Sequence, residues 1–215
     1  MQSKEKIVIA CINPLGIYGT DASGKPSIPW CSKKDLEHFK KETIGHTLIV
    51  GVKTIESLPR GKDGNILPDR ELIVVASRDP NDFKKNFLTR NKNEDLKERF
   101  HVYASLREAI EKSKTKKVFI GGGGNLWTQA LPFANVLLIT MIDINISETN
   151  REVSCKALID PTIGYPFELV EKKEVFEYPP DSVEFKLTFR KYERILKSFI
   201  PLDGWWSERE KKNVK

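Results

Sequence analysis

Short blocks of branched apolar residues recur along the chain: IVIACI from Ile7, HTLIVG over 46–51 and ELIVVAS over 71–77. Each reads as a buried strand. Between the first two lies KKDLEHFKKET, where Asp35, Leu36, Phe39 and Thr43 fall on one face at helical spacing. The next interval, VKTIESLP, predicts a short helix ended by Pro59. A strand–helix–strand–helix–strand rhythm of this kind implies parallel pairing with crossover helices. Further along, HVYA reads as a strand and SLREAIEKS as a Ser-capped helix. KKVFIGGGGNLWTQALP reads as strand, glycine turn and helix, and NVLLITMID as another strand. The segment DPNDFKKNFLTRNKNEDLKERF is polar and predicts an excursion with one short helix at its end. Near the C-terminus, Val183, Phe185, Leu187 and Phe189 alternate with Glu184, Lys186, Thr188 and Arg190, the pattern of a half-exposed antiparallel strand paired with 167–178. The total is about eight strands in a mixed sheet with helices on both faces.

Composition narrows this picture. The chain has 215 residues, 39% hydrophobic and 31% charged, enough for one substantial core and short for two domains. IVIACI is soon interrupted by Asn13 and Pro14, too short for a membrane helix and poor as a signal peptide, so a cytoplasmic protein without a membrane partner is expected. Cys11, Cys31 and Cys155, with His38, His46 and His101, form no metal-ligand pattern, and no metal site is expected. The net charge of +6 comes from lysines scattered among acids and not from a basic stripe with aromatics. A phosphate-bearing small molecule suits that charge as well as nucleic acid does, and no nucleic-acid partner is expected.

Three features carry candidate chemistry. Asp35 shares a helix face with Leu36 and Phe39, and two readings stand side by side. With Ser32 three residues earlier it resembles a capping box; alternatively it is a buried acid awaiting a ligand. Gly121, Gly122, Gly123 and Gly124 join an apolar strand to a helix. Glycines there let a dinucleotide backbone approach the free N–H groups of the helix start, although a tight turn needs no ligand and the spacing is not GxGxxG. Lys53 and Thr54 at one strand-to-helix edge, with Ser77 and Arg78 at another strand end, suggest a site for several phosphates.

The ordered set IPW, DLEHFKKET, GVKTIESLP, LPDR, VVASRDP, VFIGGGGNLW and LLITMID resembles the dihydrofolate reductase family over residues 5 to 195. Within it, the form of the segment from Lys33 to Pro59 looks most like virus-encoded members. The resemblance implies an α/β fold with a mixed eight-stranded sheet flanked by helices, and NADPH-dependent hydride transfer to 7,8-dihydrofolate, giving tetrahydrofolate for one-carbon and thymidylate metabolism. It implies that Asp35 is the one ionisable side chain in the pterin pocket, bonded by Thr140, with Trp30 holding a water. The loop from Asn13 to Pro29 would close over the nicotinamide. Ile9, Cys11, Leu36, Phe39, Leu58 and Leu67 would line the substrate pocket, and Arg70 would grip the folate carboxylate. Ala10, Tyr18, Gly19, Ile28, Gly51, Lys53, Thr54, Ser77, Arg78 and Ile120 would meet the cofactor. So would the turn Gly121, Gly122, Gly123 and Gly124 with Asn125, Leu126 and Trp127. A monomer or weak homodimer is expected.

The chain departs from the family pattern in places. Val52 stands where a basic residue is common, the turn has one glycine more than usual, and Trp127 replaces a common Tyr. The excursion 79–100 and the loop RGKDGNILPD are long. Residues 1–195 form the expected reductase domain, and 196–215, with Trp205 and Trp206, form an extension of which 196–206 is predicted to fold back onto the enzyme body or to pack against a second copy. Two rivals share much of the pattern: a pyrimidine reductase of riboflavin synthesis, which the Pro-Trp pair and the Asp35 helix disfavour, and a binding component that has lost turnover.

Overall fold

In a computed structural model, residues 3–22, 25–62, 64–144, 154–156, 165–178 and 184–195 are described; 21, 22, 25, 26 and 154–156 are described by backbone alone. The expected fold-back of 196–206 lies outside them. The strands are β1 (Glu5–Ile12), β2 (Ile17–Ala22), β3 (Lys25–Ser27), β4 (Thr47–Gly51), β5 (Glu71–Val75), β6 (Phe100–Tyr103), β7 (Lys117–Gly122), β8 (Val136–Asp143), β9 (Ser154–Lys156), β10 (Phe167–Glu177) and β11 (Phe185–Arg194). The helices are α1 (Lys33–Thr43), α2 (Val52–Ser57), α3 (Pro80–Arg90), α4 (Glu94–Arg99), α5 (Leu106–Lys112) and α6 (Gly124–Ala130).

One eight-stranded sheet runs in the order β10-β11-β8-β1-β7-β4-β5-β6. Pairing is parallel from β8 to β6 and antiparallel for β8/β11 and β10/β11. Side chains of β1 alternate between two cores because successive Cβ atoms leave opposite faces of a strand. Ile7 and Ile9 pack with Phe39 of α1, Ile55 of α2, Phe87 of α3 and Leu96 of α4. Val8, Ala10 and Ile12 pack with Leu106 and Ala109 of α5 and Leu126 and Trp127 of α6. Helices therefore cover both faces, and the central strands are apolar throughout because neither face meets water.

Two segments differ from the sequence-based reading. The excursion is mostly helical, with two helices in place of one. Phe83, Phe87 and Leu88 give α3 a narrow apolar stripe that seats it on the core, with Pro80 in its first turn. Asn93 caps α4, its side chain accepting from the Leu96 N–H at 2.9 Å. The expected loop from Asn13 to Pro29 contains β2 and β3, which join β9 in a separate antiparallel sheet ordered β3-β2-β9. Thr20 and Ser27 share a 2.8 Å hydroxyl bond across that pair.

Candidate active site

The C-terminal ends of β1, β4, β5 and β7 open into a cavity of ≈ 1020 Å³, the position where parallel α/β sheets bind ligands. At one end stands α1. Its first turn is fixed from two directions: the Asp35 N–H donates to Ser32 Oγ at 3.0 Å, and the carboxylate of Glu177, at the end of β10, covers the helix start. Glu177 Oε2 accepts from Ser32 Oγ at 2.5 Å and the Lys34 N–H at 3.3 Å, while Oε1 accepts from the Lys33 N–H at 2.7 Å. Burial works to raise the Glu177 carboxyl, but these donors outweigh it and hold the group below its ordinary value.

Asp35 itself is half-buried on the cavity wall. Desolvation pushes its carboxyl above the ordinary value. Hydrogen bonds from Thr140 and Cys11 and the nearby His38 oppose that, and Glu177 adds to it. Burial, with Asp35 beside it, raises the Cys11 thiol strongly, so it stays protonated and able to donate; Trp30 bonds the same sulfur. His38, also lining the cavity, meets the Phe189 ring at a tilt with centroids 4.5 Å apart, and burial lowers its pKa. Asp35 thus takes the cap bond through its backbone N–H, while its side chain lines the cavity beside Thr140 and Cys11.

The glycine turn forms the far wall. β7 ends at Gly122, Gly123 caps α6, Gly124 opens it, and the Gly122–Gly123 peptide is cis. Gly122 has φ of 126°, which a side chain would strain. A Cβ on Gly124 would lie 2.9 Å from Tyr18 Cε1 and 3.0 Å from its Oη, so only glycine lets the Tyr18 ring lie there. That ring meets Trp127 edge-on at 5.0 Å, and the Trp127 indole donates to the Ile120 carbonyl at 3.1 Å.

The lining brings together most of the residues singled out from sequence. Ile9, Ala10 and Cys11 come from β1, Tyr18 and Gly19 from β2, and Ile28 and Trp30 from the segment after β3. Asp35, Leu36 and Phe39 come from α1, Gly51, Lys53 and Thr54 from the β4/α2 junction, and Leu58 and Leu67 from the chain that follows. Ser77 and Arg78 follow β5, Gly121 through Trp127 form the turn and α6, and Thr140 lies on β8. Two residues are not in the wall. Ile120 is fully buried inside β7. Arg70, only 4% exposed, lies behind Phe39, its guanidinium 6.0 Å from that ring. It donates to Thr43 Oγ1 at 2.8 Å and the Pro68 carbonyl at 2.7 Å. In this arrangement Arg70 props α1 against the 67–70 segment, where Leu67 and Asp69 adopt φ of 45° and 61°.

Other lining residues went unnoticed in the sequence. Phe83 reaches the cavity from α3, and Ala104, Ser105 and Leu106 from the β6/α5 junction. The latter was a detectable strand-to-helix edge of the same kind as Gly51–Thr54; the former sat in a segment whose polarity hid its apolar stripe. Among the described residues, no cluster of three or more His, Cys, Asp or Glu side chains is placed to hold a metal, and no helix is long and apolar enough to cross a membrane.

Comparison with known proteins gives one answer. The dihydrofolate reductase of Buchnera aphidicola is 34% identical over 174 residues, covering 80% of this chain and 89% of that one. The dihydrofolate reductase of Bacillus subtilis is 34% identical over 131 residues, 59% of this chain and 67% of that one. Among solved structures, dihydrofolate reductase from Enterococcus faecalis complexed with NADP(H) and RAB-propyl superposes with a TM-score of 0.62 at 22% identity, covering 89% of this chain and 97% of that chain, a likeness of fold. With residues 9–194 matching the dihydrofolate reductase family model across both walls of the cavity, the chain belongs to the dihydrofolate reductase family.

Proposed function

We propose that this chain reduces 7,8-dihydrofolate to tetrahydrofolate with NADPH. The observation that carries the reading is Asp35, a half-buried carboxylate on a cavity wall that also holds the apolar Ile9, Leu36, Phe39 and Leu58, with Thr140, Cys11 and His38 beside it. An acid there is costly unless charge-assisted donors meet it, and the amino group and ring N–H of a pterin are such donors in one plane. Thr140 and Cys11 occupy part of its acceptor capacity and fix its orientation. The Pro29-Trp30 pair and the helix carrying Asp35 and Phe39 argue against the pyrimidine reductase rival.

The opposite wall fits NADPH. Gly123 and Gly124 leave room that a Cβ would fill against Thr54 and Tyr18, and Lys53, Thr54, Ser77 and Arg78 line the cavity where phosphates would be met. When bound, NADPH supplies the hydride, delivered to carbon six of the pterin. Asp35 orients the pterin and biases the neighbouring ring nitrogen toward protonation through its charge. Trp30 and Cys11 close the adjacent corner against bulk water. Tyr18, Gly19, Thr20 and Ser27 of β2 and β3 line the cavity and would cover the nicotinamide end of a bound cofactor.

We read 1–195 as the reductase domain with 196–215 as an extension, and the enzyme as a monomer or weak homodimer, since one chain supplies both walls. Placement among virus-encoded members rests on the sequence from Lys33 to Pro59. The test of function is direct: NADPH absorbance should fall on mixing with dihydrofolate, and faster than with NADH at equal concentration. Tight binding of both ligands with no loss of absorbance would favour the component that has lost turnover.

A further inference from the structure

Arg99 closes the 79–100 excursion, and its guanidinium is spent almost entirely on one neighbouring segment. Nη1 donates to the carbonyls of Leu67 and Arg70, each at 3.0 Å, and Nη2 to the Ile66 carbonyl at 2.9 Å and to Asn65 Oδ1. Nε donates to Asp95 Oδ2 at 2.8 Å, which also accepts from Asn65 Nδ2 at 3.1 Å. Segment 65–70 belongs to no helix or strand, and Leu67 and Asp69 hold positive φ within it. Its carbonyls at 66, 67 and 70 thus find partners on a single planar fork that a lysine cannot reproduce. The fork in turn stands on α4, anchored by fully buried Leu96. Across the same gap Arg60 Nε donates to Asn91 Oδ1 at 2.6 Å, tying the other end of the loop to the excursion.

We propose that Arg99 is a positioning residue for the far end of the substrate site, holding 65–70 so that Leu67 forms the wall against which the aminobenzoyl-glutamate tail of a folate lies. The inference rests on the function proposed above. Arg99 does not line the cavity and touches no ligand; it acts through the loop, and the excursion becomes part of the substrate site.

The test compares the parent enzyme with Arg99→Met, which keeps the aliphatic stem, and Arg99→Lys, which keeps the charge. Two substrates are used, dihydrofolate and a dihydropterin lacking the tail. Both variants should raise KM for dihydrofolate about ten-fold, because several charge-assisted bonds are lost. KM for the tailless substrate and for NADPH should stay within about two-fold. Hydrogen exchange on ligand-free protein should accelerate at amides 65–71 and not within β4. Equal losses for both substrates, or unchanged KM for dihydrofolate, would overturn the proposal, as would unchanged exchange at 65–71. A parent enzyme inactive on both substrates would instead refute the proposed function, and the exchange result would still decide whether Arg99 holds the loop.

Discussion

Removing the carboxylate of Glu177 should loosen the helix that carries Asp35. Glu177→Ala deletes the acceptor for the Ser32 hydroxyl at 2.5 Å, the Lys33 N–H at 2.7 Å and the Lys34 N–H at 3.3 Å. Two of these are close and one is long. Hydrogen bonds to a charged group contribute roughly 1.5–3 kcal/mol each, but Lys33 and Lys34 are exposed, so water replaces part of what is lost. The net cost should be about 2–3 kcal/mol, near the upper range of helix-cap deletions. Urea unfolding at pH 7 should show the midpoint falling by about 1 M with an unchanged slope. The donors hold the Glu177 carboxyl below its ordinary 4.5, so its contribution is present above that value and lost as pH falls through the depressed one. The gap between parent and variant should therefore be full at pH 7 and close under acid conditions. Glu177→Gln, which keeps one acceptor oxygen, should fall between them. A gap below about 0.5 kcal/mol at pH 7, or one that persists unchanged in acid, would refute the assignment of the cap.

Asp35→Asn should lower hydride transfer by on the order of 10²–10³ at neutral pH, with partial recovery in acid where substrate arrives protonated; single-turnover rates check this, and full turnover would exclude the role given to Asp35. Because burial raises the Asp35 carboxyl above its ordinary 3.8, the ligand-free parent loses stability as pH rises through the raised value, and Asp35→Asn should be the more stable protein at pH 8 with the advantage vanishing in acid. Melting curves across that range give the sign. Arg78→Ala should weaken NADPH about ten-fold or more while leaving NADH nearly unchanged, as fluorescence titration would show; equal losses would place the extra phosphate elsewhere. Gly124→Ala must push the Tyr18 ring from its 2.9 Å neighbour, so NADPH affinity should fall together with about 1–3 kcal/mol of stability. An unchanged dissociation constant would mean that Tyr18 does not border the cofactor.

The parts of this molecule legible in its sequence are those whose signal is local. ELIVV and KVFI are buried on both faces, so apolar continuity marks them as central strands. Asp35 and Phe39 fall on one helix face by spacing alone. What escaped depends on partners far along the chain. Nothing near Glu177 announces that it will meet Ser32, because the contact spans two distant elements. In α3 only Phe83, Phe87 and Leu88 pack inward among eight other residues of PNDFKKNFLTR, so polarity masked a helix. The bonds of Arg70 to Thr43 and the Pro68 carbonyl likewise join segments whose meeting the local sequence does not announce. The β2/β3 hairpin is short, holds Gly19 and Pro26, and pairs with β9 from much later, so its strand character had little to reveal it.

The place of β1 in the sheet bears on how the protein is made. β1 lies between β7 and β8, and neither neighbour exists until Lys117–Gly122 and Val136–Asp143 have been synthesised. A growing chain therefore carries Ile7–Ile12 with both edges unpaired throughout the synthesis of β4, β5 and β6. Pairing over such separations is slow, and an apolar strand with open edges is a template for association between nascent chains. Yield in cells should accordingly respond to translation speed and to chaperones that shield the N-terminal strand more than to the stability of the finished enzyme.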